Sequence, residues 1–363
     1  MIDARYETLM GRGPKQITHW EHWSCPDAET YLTGIDYYEH PRQCRLRLRE
    51  LYPMLKLAIP ETDDPVARPR LAEAGATDQQ SHTVRWGAGE TDTFVHGEAY
   101  FQTPEDVFAF SPLEKADFTG WKHVIMNWDF SSEEVIYQRL RKDFPAEWGG
   151  SQAPEGICSE TWFYNTMFMW PLLTFGWDLF LRCSLDPRFE RIMAEFAEIN
   201  RRVFRAFARL PVNFITCHDD IVMTSGPVCS PRWMRKYIFP VYEELWGILK
   251  DAGKRAIFMS DGCMNAYAAD VMACGAVGII SEPYSDYKPL ARRYQDVFLA
   301  GEGDNRILSR GDPAEIRAMV ESMVETGRMS NGYMMCIGNH IPWNVSPEGI
   351  RLYLEYSREL AHR

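Results

Sequence analysis

The sequence predicts an α/β protein, a (β/α)8 TIM barrel whose amino-terminal half is elaborated by a hairpin insertion. Three observations lead to this class. Short apolar, β-branched runs alternate with helix-period segments throughout residues 210–363, which is typical of βαβ units with a parallel sheet. Asp-Pro and Ser-Pro pairs mark helix starts, and no repeat or Gly/Ser-rich linker divides the chain. We therefore expect one domain over residues 1–363, irregular over 1–180 and regular over 181–363. An open doubly wound sheet is the alternative architecture.

Strands are predicted in both halves. In the amino-terminal half, residues 17–23, 55–59 and 123–127 have strand composition. Residues 81–101 alternate in polarity around a Gly-Ala-Gly turn, which predicts the inserted hairpin. In the carboxy-terminal half, five further strands are predicted at residues 212–217, 255–259, 276–280, 296–299 and 332–336.

Helix starts are marked by an oxygen-bearing side chain followed by proline. Such a side chain accepts a hydrogen bond from the first turn, and proline lacks a donor that the first turn leaves unpaired. After Pro187, apolar residues recur with the helical period, which predicts a helix packed on the core. Gly253 ends the segment that begins at Pro231. The four marked starts are Asp186-Pro187, Ser230-Pro231, Asp312-Pro313 and Ser346-Pro347.

Composition excludes several classes of function. Lys plus Arg is 39 and Asp plus Glu is 51, and the formal net charge of −12 repels nucleic acid. Nine cysteines without a Cys-x-x-Cys pair indicate reduced thiols and, with a charged amino terminus, favour a cytoplasmic protein. The most apolar stretch, residues 161–181, is interrupted by Asn165, Pro171 and Asp178, so we expect a buried wall rather than a membrane span.

Polar residues follow all five strands of the carboxy-terminal half, at the end where a parallel barrel has its active site. These ends supply acids, histidines and glycines that let backbone approach a ligand, so we expect them to form a site. The expected catalytic residues are Asp261, His340, His218, Asp220 and Glu282, and the expected substrate-binding residues are Asp304, Asn339, Glu302, His19 and Glu21.

For single residues the alternatives stay open. Asp220 could instead bond loop amides, and His218 could be a hydrogen-bonded rim residue. His19 and Glu21 share one face of the first strand, as a ligand pair or as a satisfied histidine in the core. GxGxxG, GxxxxGK[ST], HExxH and GxSxG motifs are absent, so nicotinamide, nucleotide triphosphate and serine hydrolase chemistry lose support. A Trp-rich amino-terminal half is compatible with an aromatic ligand.

From Asp186 to the end, the order of motifs resembles the uroporphyrinogen decarboxylase superfamily, which includes corrinoid-linked methyltransferases. The matching stretches are LDPRFERIM, residues 218–254, FMSDG, SEP, GEGD and GYMMCIGNHIPWNVSPEGI. The resemblance implies a TIM barrel, in agreement with the strand count. Porphyrinogen decarboxylases carry an arginine-rich motif near the amino terminus, whereas no arginine lies between Arg12 and Arg42 here. Porphyrinogen decarboxylation is thus disfavoured.

A second departure concerns metal binding. The superfamily branch that methylates thiols binds zinc through a His-x-Cys-Gly motif and a late cysteine. Here Met259, Asp261 and Asn339 stand at the matching positions, which removes that zinc site as the branch builds it. A different site for zinc or another divalent metal, using Asp261, Glu282 and His340, stays open.

The resemblance then implies a methyltransferase that moves methyl from a small methylated donor, best a methoxyaromatic, to the cobalt of a corrinoid. Asp261 and His340 would assist the leaving oxygen. No Asp-x-His-x-x-Gly corrinoid attachment motif occurs, so a separate corrinoid-binding protein would supply the cobalamin. The alternatives are a decarboxylase or lyase of the same superfamily, a metal-dependent hydrolase on the same barrel, and a binding module without catalysis. A homodimer is left open.

Overall fold

The computed structural model describes residues 3–23, 25–56, 58–66, 76–77, 82–85, 93–96, 100–121, 127–148, 153, 156–164, 166–342 and 345–362. The strands are β1 (Thr18–His19), β2 (Glu21–His22), β3 (Leu55–Lys56), β4 (Ala76–Thr77), β5 (His82–Arg85), β6 (Thr93–His96), β7 (Glu160–Phe163), β8 (Phe214–His218), β9 (Val222–Met223), β10 (Gly226–Pro227), β11 (Arg255–Met259), β12 (Gly278–Ile280), β13 (Phe298–Ala300) and β14 (Met334–Met335).

The helices run between and around these strands, and one further 3-10 turn spans Met264–Ala266. They are α1 (Ala4–Leu9), α2 (Pro26–Thr33), α3 (Pro41–Leu51), α4 (Pro104–Ala109), α5 (Pro112–Lys115), α6 (Glu133–Arg141), α7 (Met169–Phe175), α8 (Trp177–Cys183), α9 (Phe189–Ala208), α10 (Pro231–Tyr237), α11 (Phe239–Asp251), α12 (Ala268–Ala273), α13 (Tyr287–Arg293), α14 (Asn305–Arg310), α15 (Pro313–Met329) and α16 (Pro347–Leu360).

Parallel strands, bonded from neighbour to neighbour, form the framework. A five-stranded parallel sheet has the order β13-β12-β11-β8-β7. Three further parallel pairings extend this arrangement beyond β13. Leu299 of β13 forms a bridge with Tyr333, next to β14, then β14 pairs with β1, and β2 pairs with β3. With β1 and β2 counted as one unit, these are eight parallel units; within the described ranges no ladder joins β3 to β7. The expected (β/α)8 class is confirmed.

The register of these strands decides which side chains face the barrel interior, since paired residues of neighbouring parallel strands point to the same side. Thr216 pairs with Ile257, Ile257 with Gly278, and Gly278 with Phe298. Ile257 and Phe298 belong to a small interior core that also contains Leu9 at the end of α1. The larger core lies between the strands and the surrounding helices, where the apolar face of α9 packs.

All five strands predicted in the carboxy-terminal half form, with shifts of a few residues at their ends. The sequence did not predict β7, which begins one residue before the apolar stretch of residues 161–181 and otherwise lies within it. That stretch divides into β7, α7 and α8, and no described helix is long and apolar enough to cross a membrane. The hairpin insertion is confirmed by antiparallel β5 and β6, which β4 extends. Most of the strand predicted at 123–127 lies outside the described residues.

Three of the four marked helix starts are confirmed, because Ser230, Asp312 and Ser346 each accept a hydrogen bond from the first turn of their helix. The fourth was wrong: α9 begins two residues after Pro187, and the Asp186 carboxylate accepts from the Arg188 backbone in a preceding turn. The segment that begins at Pro231 is two helices, α10 and α11. Proline at position 240 has no N–H for the carbonyl one turn earlier, which explains the break.

Candidate active site

Three carboxylates and a histidine meet at the carboxyl ends of neighbouring strands. His218 ends β8 and Asp220 follows it, whereas Asp261 and Glu282 each lie two residues after β11 and β12. Because these strands are adjacent and parallel, their ends share one edge. We call His218, Asp220, Asp261 and Glu282 the mouth cluster. All four were expected from the sequence, and the structure brings them together.

Backbone amides hold two of these carboxylates around Asp261. Asp220 Oδ1 lies 3.0 Å from His218 Nε2 in a hydrogen bond and accepts a second one from the Asp261 backbone N–H at 2.7 Å. Glu282 Oε2 accepts from the Gly262 N–H at 2.8 Å. Gly262 has φ of +91°, and a Cβ there would meet the Met223 backbone, so this turn requires glycine. Adjacent amides of one turn thus fix both acids.

Charge and burial raise the pKa of Asp261. Burial is the largest cause, the charges of Asp220 and Glu282 add to it, His218 opposes it, and the pKa reaches about 7. Burial also raises the pKa of Glu282, against the Gly262 hydrogen bond. For His218, burial favours the neutral ring, but the hydrogen bond and charge of Asp220 outweigh it and raise the pKa. At neutral pH the cluster therefore holds a carboxyl group that can both donate and accept a proton.

Asn339 links this cluster to His340. Its Nδ2 donates to Asp261 Oδ2 at 3.1 Å, and its Oδ1 lies 2.8 Å from His340 Nδ1. Since the amide oxygen only accepts, Nδ1 carries the proton and Nε2 of the neutral ring is left as an acceptor. Burial lowers the pKa of His340 and favours that neutral form. Asn339 thus bridges His340 and Asp261 by hydrogen bonds. The Asn339 backbone has the left-handed φ of 63°.

An aromatic pair that the sequence did not single out flanks the cluster. Trp162 and Tyr164 stack with ring centroids 6.2 Å apart, and Tyr164 meets the His218 ring edge-on at 5.1 Å. Trp162 pairs with Thr216 and so shares the interior face with His218. Tyr164 is 47% exposed. The alternation of Glu160, Trp162 and Tyr164 was the available signal, hidden by the surrounding aromatic run.

Two acids expected in the substrate pocket are engaged in other contacts. Glu302 accepts hydrogen bonds from Thr326 of α15 at 3.0 Å and from Tyr333 at 2.7 Å, which ties its strand end to the helix layer. Asp304 caps α14 and binds the Arg306 guanidinium. Burial alone would raise the pKa of Asp304, but the hydrogen bonds of Arg306 lower it. Both side chains stabilise the rim rather than join the cluster.

His19 and Glu21 do share a face, as expected, but that face points away from the barrel interior. His19 Nε2 lies 2.7 Å from Glu21 Oε1, which also accepts from the Tyr353 hydroxyl of α16. Glu21 Oε2 accepts from the Ile337 N–H at 3.0 Å. The Glu21 side chain is fully buried. The pair therefore joins β1 and β2 to the outer helix layer, which corrects its expected place in the substrate pocket.

The cluster also suits a metal ion. Among the residues described, His218, Asp220 and Asp261 are the group of potential ligands whose donor atoms all lie within 4.8 Å of one another. One imidazole nitrogen and two carboxylate oxygens match the preferences of zinc and other divalent ions. This set differs from the expected Asp261, Glu282 and His340. Within the described residues, buried Nδ1 of His218 has no hydrogen-bond partner.

Comparisons with known proteins agree with this architecture. Residues 185–360 match the family model of uroporphyrinogen decarboxylase (URO-D), which confirms the resemblance for the carboxy-terminal half. A solved methyltransferase from Methanosarcina mazei is similar in fold, with 14% identity, 98% of this chain and 97% of that chain covered, and a TM-score of 0.57. No match was found among curated proteins.

Two further solved structures cover 63% of this chain with slighter likeness. They are a D-psicose 3-epimerase (13% identity, 82% of that chain, TM-score 0.35) and a xylose isomerase-like TIM barrel protein from Mycobacterium smegmatis (12%, 90%, 0.27). Neither likeness is close enough to bear on function.

Proposed function

We propose, from the uroporphyrinogen decarboxylase match over residues 185–360, that this chain is a methyltransferase that demethylates a small methylated donor, a methoxyaromatic in the form we favour. The acceptor would be the cobalt(I) of a corrinoid. The observation that carries the proposal is the half-buried Asp261 carboxyl, which lies with Asp220 and Glu282 at the barrel mouth. Burial and the charges of these two neighbours raise its pKa to about 7, so it can donate a proton near neutral pH.

The chemistry of the donor explains why such a carboxyl is useful. A methyl ether transfers its methyl group only if the departing oxygen is stabilised, because a free alkoxide or phenoxide is a poor leaving group. A cobalt(I) acceptor would supply the electron pair for the new bond to carbon as the carbon–oxygen bond breaks. Asp261 would give its proton to the departing oxygen, which would leave as an alcohol or phenol. Asp261 is then reprotonated from solvent, and burial together with the charges of Asp220 and Glu282 keeps its pKa high enough for the next cycle.

The surrounding residues support an aromatic donor. The Trp162 and Tyr164 rings stack beside His218, and offset stacking on such a pair suits another aromatic ring. Asn339 orients the acid through its bond to Asp261, and His340 holds Asn339. His218 balances the charge of Asp220. We assign Asp261 as the proton donor and these neighbours as positioning residues.

The acceptor would come with a partner. The chain lacks the corrinoid attachment motif, so we propose a separate corrinoid-binding protein that docks at the barrel mouth. All nine cysteines are free, which supports action in a reducing compartment such as the cytoplasm.

Metal-dependent hydrolysis is the second candidate, because His218, Asp220 and Asp261 fit a divalent ion. A bound ion would polarise an ester or activate water, with these three residues as its ligands. Zinc or another divalent metal could equally serve the methyltransferase by polarising the departing oxygen. A stoichiometric metal with hydrolysis of model esters, and no methyl transfer, would favour the hydrolase.

The deciding experiment mixes the purified protein with chemically reduced cobalamin and single donors: methoxyaromatics, methanol and methylamines. We expect the cobalt(I) absorption to give way to that of methylcobalamin with a methoxyaromatic. Asp178→Asn, an exposed acid of α8, is the matched control and should transfer at the wild-type rate. Absence of transfer from every donor, with a corrinoid-binding protein supplied as well, would contradict the proposal.

A further inference from the structure

The mouth cluster holds more acids than bases close to the aromatic pair. Three carboxylates, Asp220, Asp261 and Glu282, interact with one another there. Among the described residues, the basic groups that act on Asp261 or Glu282 are His218 and Arg306. The Arg306 guanidinium is already bound to the Asp304 carboxylate at 2.7–3.1 Å. One imidazole therefore faces three acids.

A fourth carboxylate lies on the aromatic side. Glu160 is on the same strand face as Trp162, where the Thr216 hydroxyl donates to its Oε1 at 2.9 Å. The charges of Asp261 and Glu160 both act on the Tyr164 hydroxyl, so both acids lie near the ring pair. An aromatic donor stacked on Trp162 or Tyr164 would therefore lie close to the mouth cluster and to Glu160.

From this arrangement we infer that Asp220 and Glu282 select methoxyaromatic donors without a carboxylate and reject methoxybenzoates. The inference rests on the proposed function and adds a substrate class to it. A carboxylate on the stacked ring would lie beside the cluster, and salt screens the repulsion between partly buried charges little. Partial burial of the cluster strengthens the repulsion further. A neutral ring, or one with hydroxyl groups that donate to these acids, avoids this penalty.

The two residues can be altered without loss of their backbone bonds. In Asp220→Asn the amide oxygen can still accept from the Asp261 N–H, and in Glu282→Gln it can still accept from the Gly262 N–H. Both changes remove charge and also lower the pKa of Asp261, so absolute rates with every donor should fall. The ratio of kcat/KM between two donors is unaffected by that shared loss, so it measures donor selectivity alone.

The test compares 2-methoxyphenol with 4-hydroxy-3-methoxybenzoate as donors to reduced cobalamin at pH 6, where Asp261 is mostly protonated. In the wild type, kcat/KM should favour the neutral donor at least tenfold. The combined Asp220→Asn and Glu282→Gln protein should bring the two donors to within about threefold. Asp178→Asn removes the same kind of charge from the exposed face of α8 and should keep the wild-type ratio.

A binding measurement separates this inference from the reaction. Without any corrinoid present, calorimetry should show that the protein binds catechol, the neutral demethylated product, more tightly than 3,4-dihydroxybenzoate, the product with a carboxylate. Equal use of both donors by the wild type, or an unchanged ratio in the double variant, would overturn the inference and leave the methyltransferase intact. Transfer from neither donor would overturn the proposed function, and the inference with it.

Discussion

Two histidine–carboxylate pairs have the same spacing of two residues in the sequence but different surroundings in the fold. His19 and Glu21 lie 2.7 Å apart under α16, and His218 and Asp220 lie 3.0 Å apart at the barrel mouth. The Glu21 side chain is fully buried, whereas that of Asp220 is 27% exposed. The same residue pattern gives a structural link in one region and a candidate reactive site in the other.

The difference arises from what surrounds each carboxylate. Glu21 has donors for both oxygens, from His19, Tyr353 and the Ile337 backbone, so its hydrogen-bonding capacity is used within the fold. Asp220 has further acids as neighbours, and burial together with their repulsion raises the pKa of Asp261, which is therefore ready to hold a proton. A satisfied carboxylate stabilises the fold, and a crowded one is available for proton transfer.

The largest expected effect is on activity at the mouth cluster. Asp261→Asn keeps the shape of the side chain and its bond with Asn339 but cannot donate a carboxyl proton. We expect methyl transfer to fall by a factor of about 100 or more, the usual contribution of a general acid. Single-turnover absorption changes of the corrinoid measure it, with thermal unfolding as the check on folding. Transfer within threefold of the wild type would remove Asp261 from the mechanism.

Glu21→Gln should produce the reverse result, a loss of stability with little loss of activity in each folded molecule. The amide can replace only one of the two accepting oxygens, so one buried donor among Tyr353, His19 and the Ile337 N–H loses its partner. We expect about 2 kcal/mol less free energy of unfolding, measured with urea. Glu50→Gln, at a side chain that is 68% exposed, is the control and should change stability by less than about 0.5 kcal/mol. Unchanged stability of Glu21→Gln would contradict the structural role.

The next expected effect is on the pH dependence of stability and activity, which tests the mouth cluster. The folded-state pKa of Asp261, about 7, is higher than its usual 3.8, so the folded protein favours the protonated form. Stability from this group is complete below pH 3.8 and is lost as pH rises through about 7. Activity should follow the same proton, with kcat/KM falling about tenfold per pH unit above 7. Asp220→Asn removes a repelling charge and should shift that fall to lower pH; an unshifted profile would show that the titrating group is elsewhere.

The sequence predicted the mouth cluster better than it predicted the role of the first strand. His218, Asp220, Asp261 and Glu282 follow regular strands whose carboxyl ends must meet, so topology alone brings them together. For His19 and Glu21 the sequence showed a shared face but not its direction, because that depends on where α16, far along the chain, packs. Tyr164 was missed since β7 lies in a continuous aromatic run, where alternation gives little contrast. Contacts across long chain separations are not visible in local patterns.

The smallest expected effect is on stability, in a comparison of a buried tyrosine–glutamate hydrogen bond with an exposed one. Tyr353 and Tyr31 each donate a hydroxyl hydrogen bond to a glutamate, Glu21 in the interior and Glu348 at the surface. Tyr353→Phe leaves Glu21 with one donor fewer in a site without water access, so we expect a loss of about 1 kcal/mol in the free energy of unfolding. In Tyr31→Phe, water replaces the hydroxyl, and the change should stay below about 0.5 kcal/mol. Equal losses in the two variants would mean that burial does not strengthen the Glu21 contacts, and the contrast between the two histidine–carboxylate pairs would then rest on the mouth cluster alone.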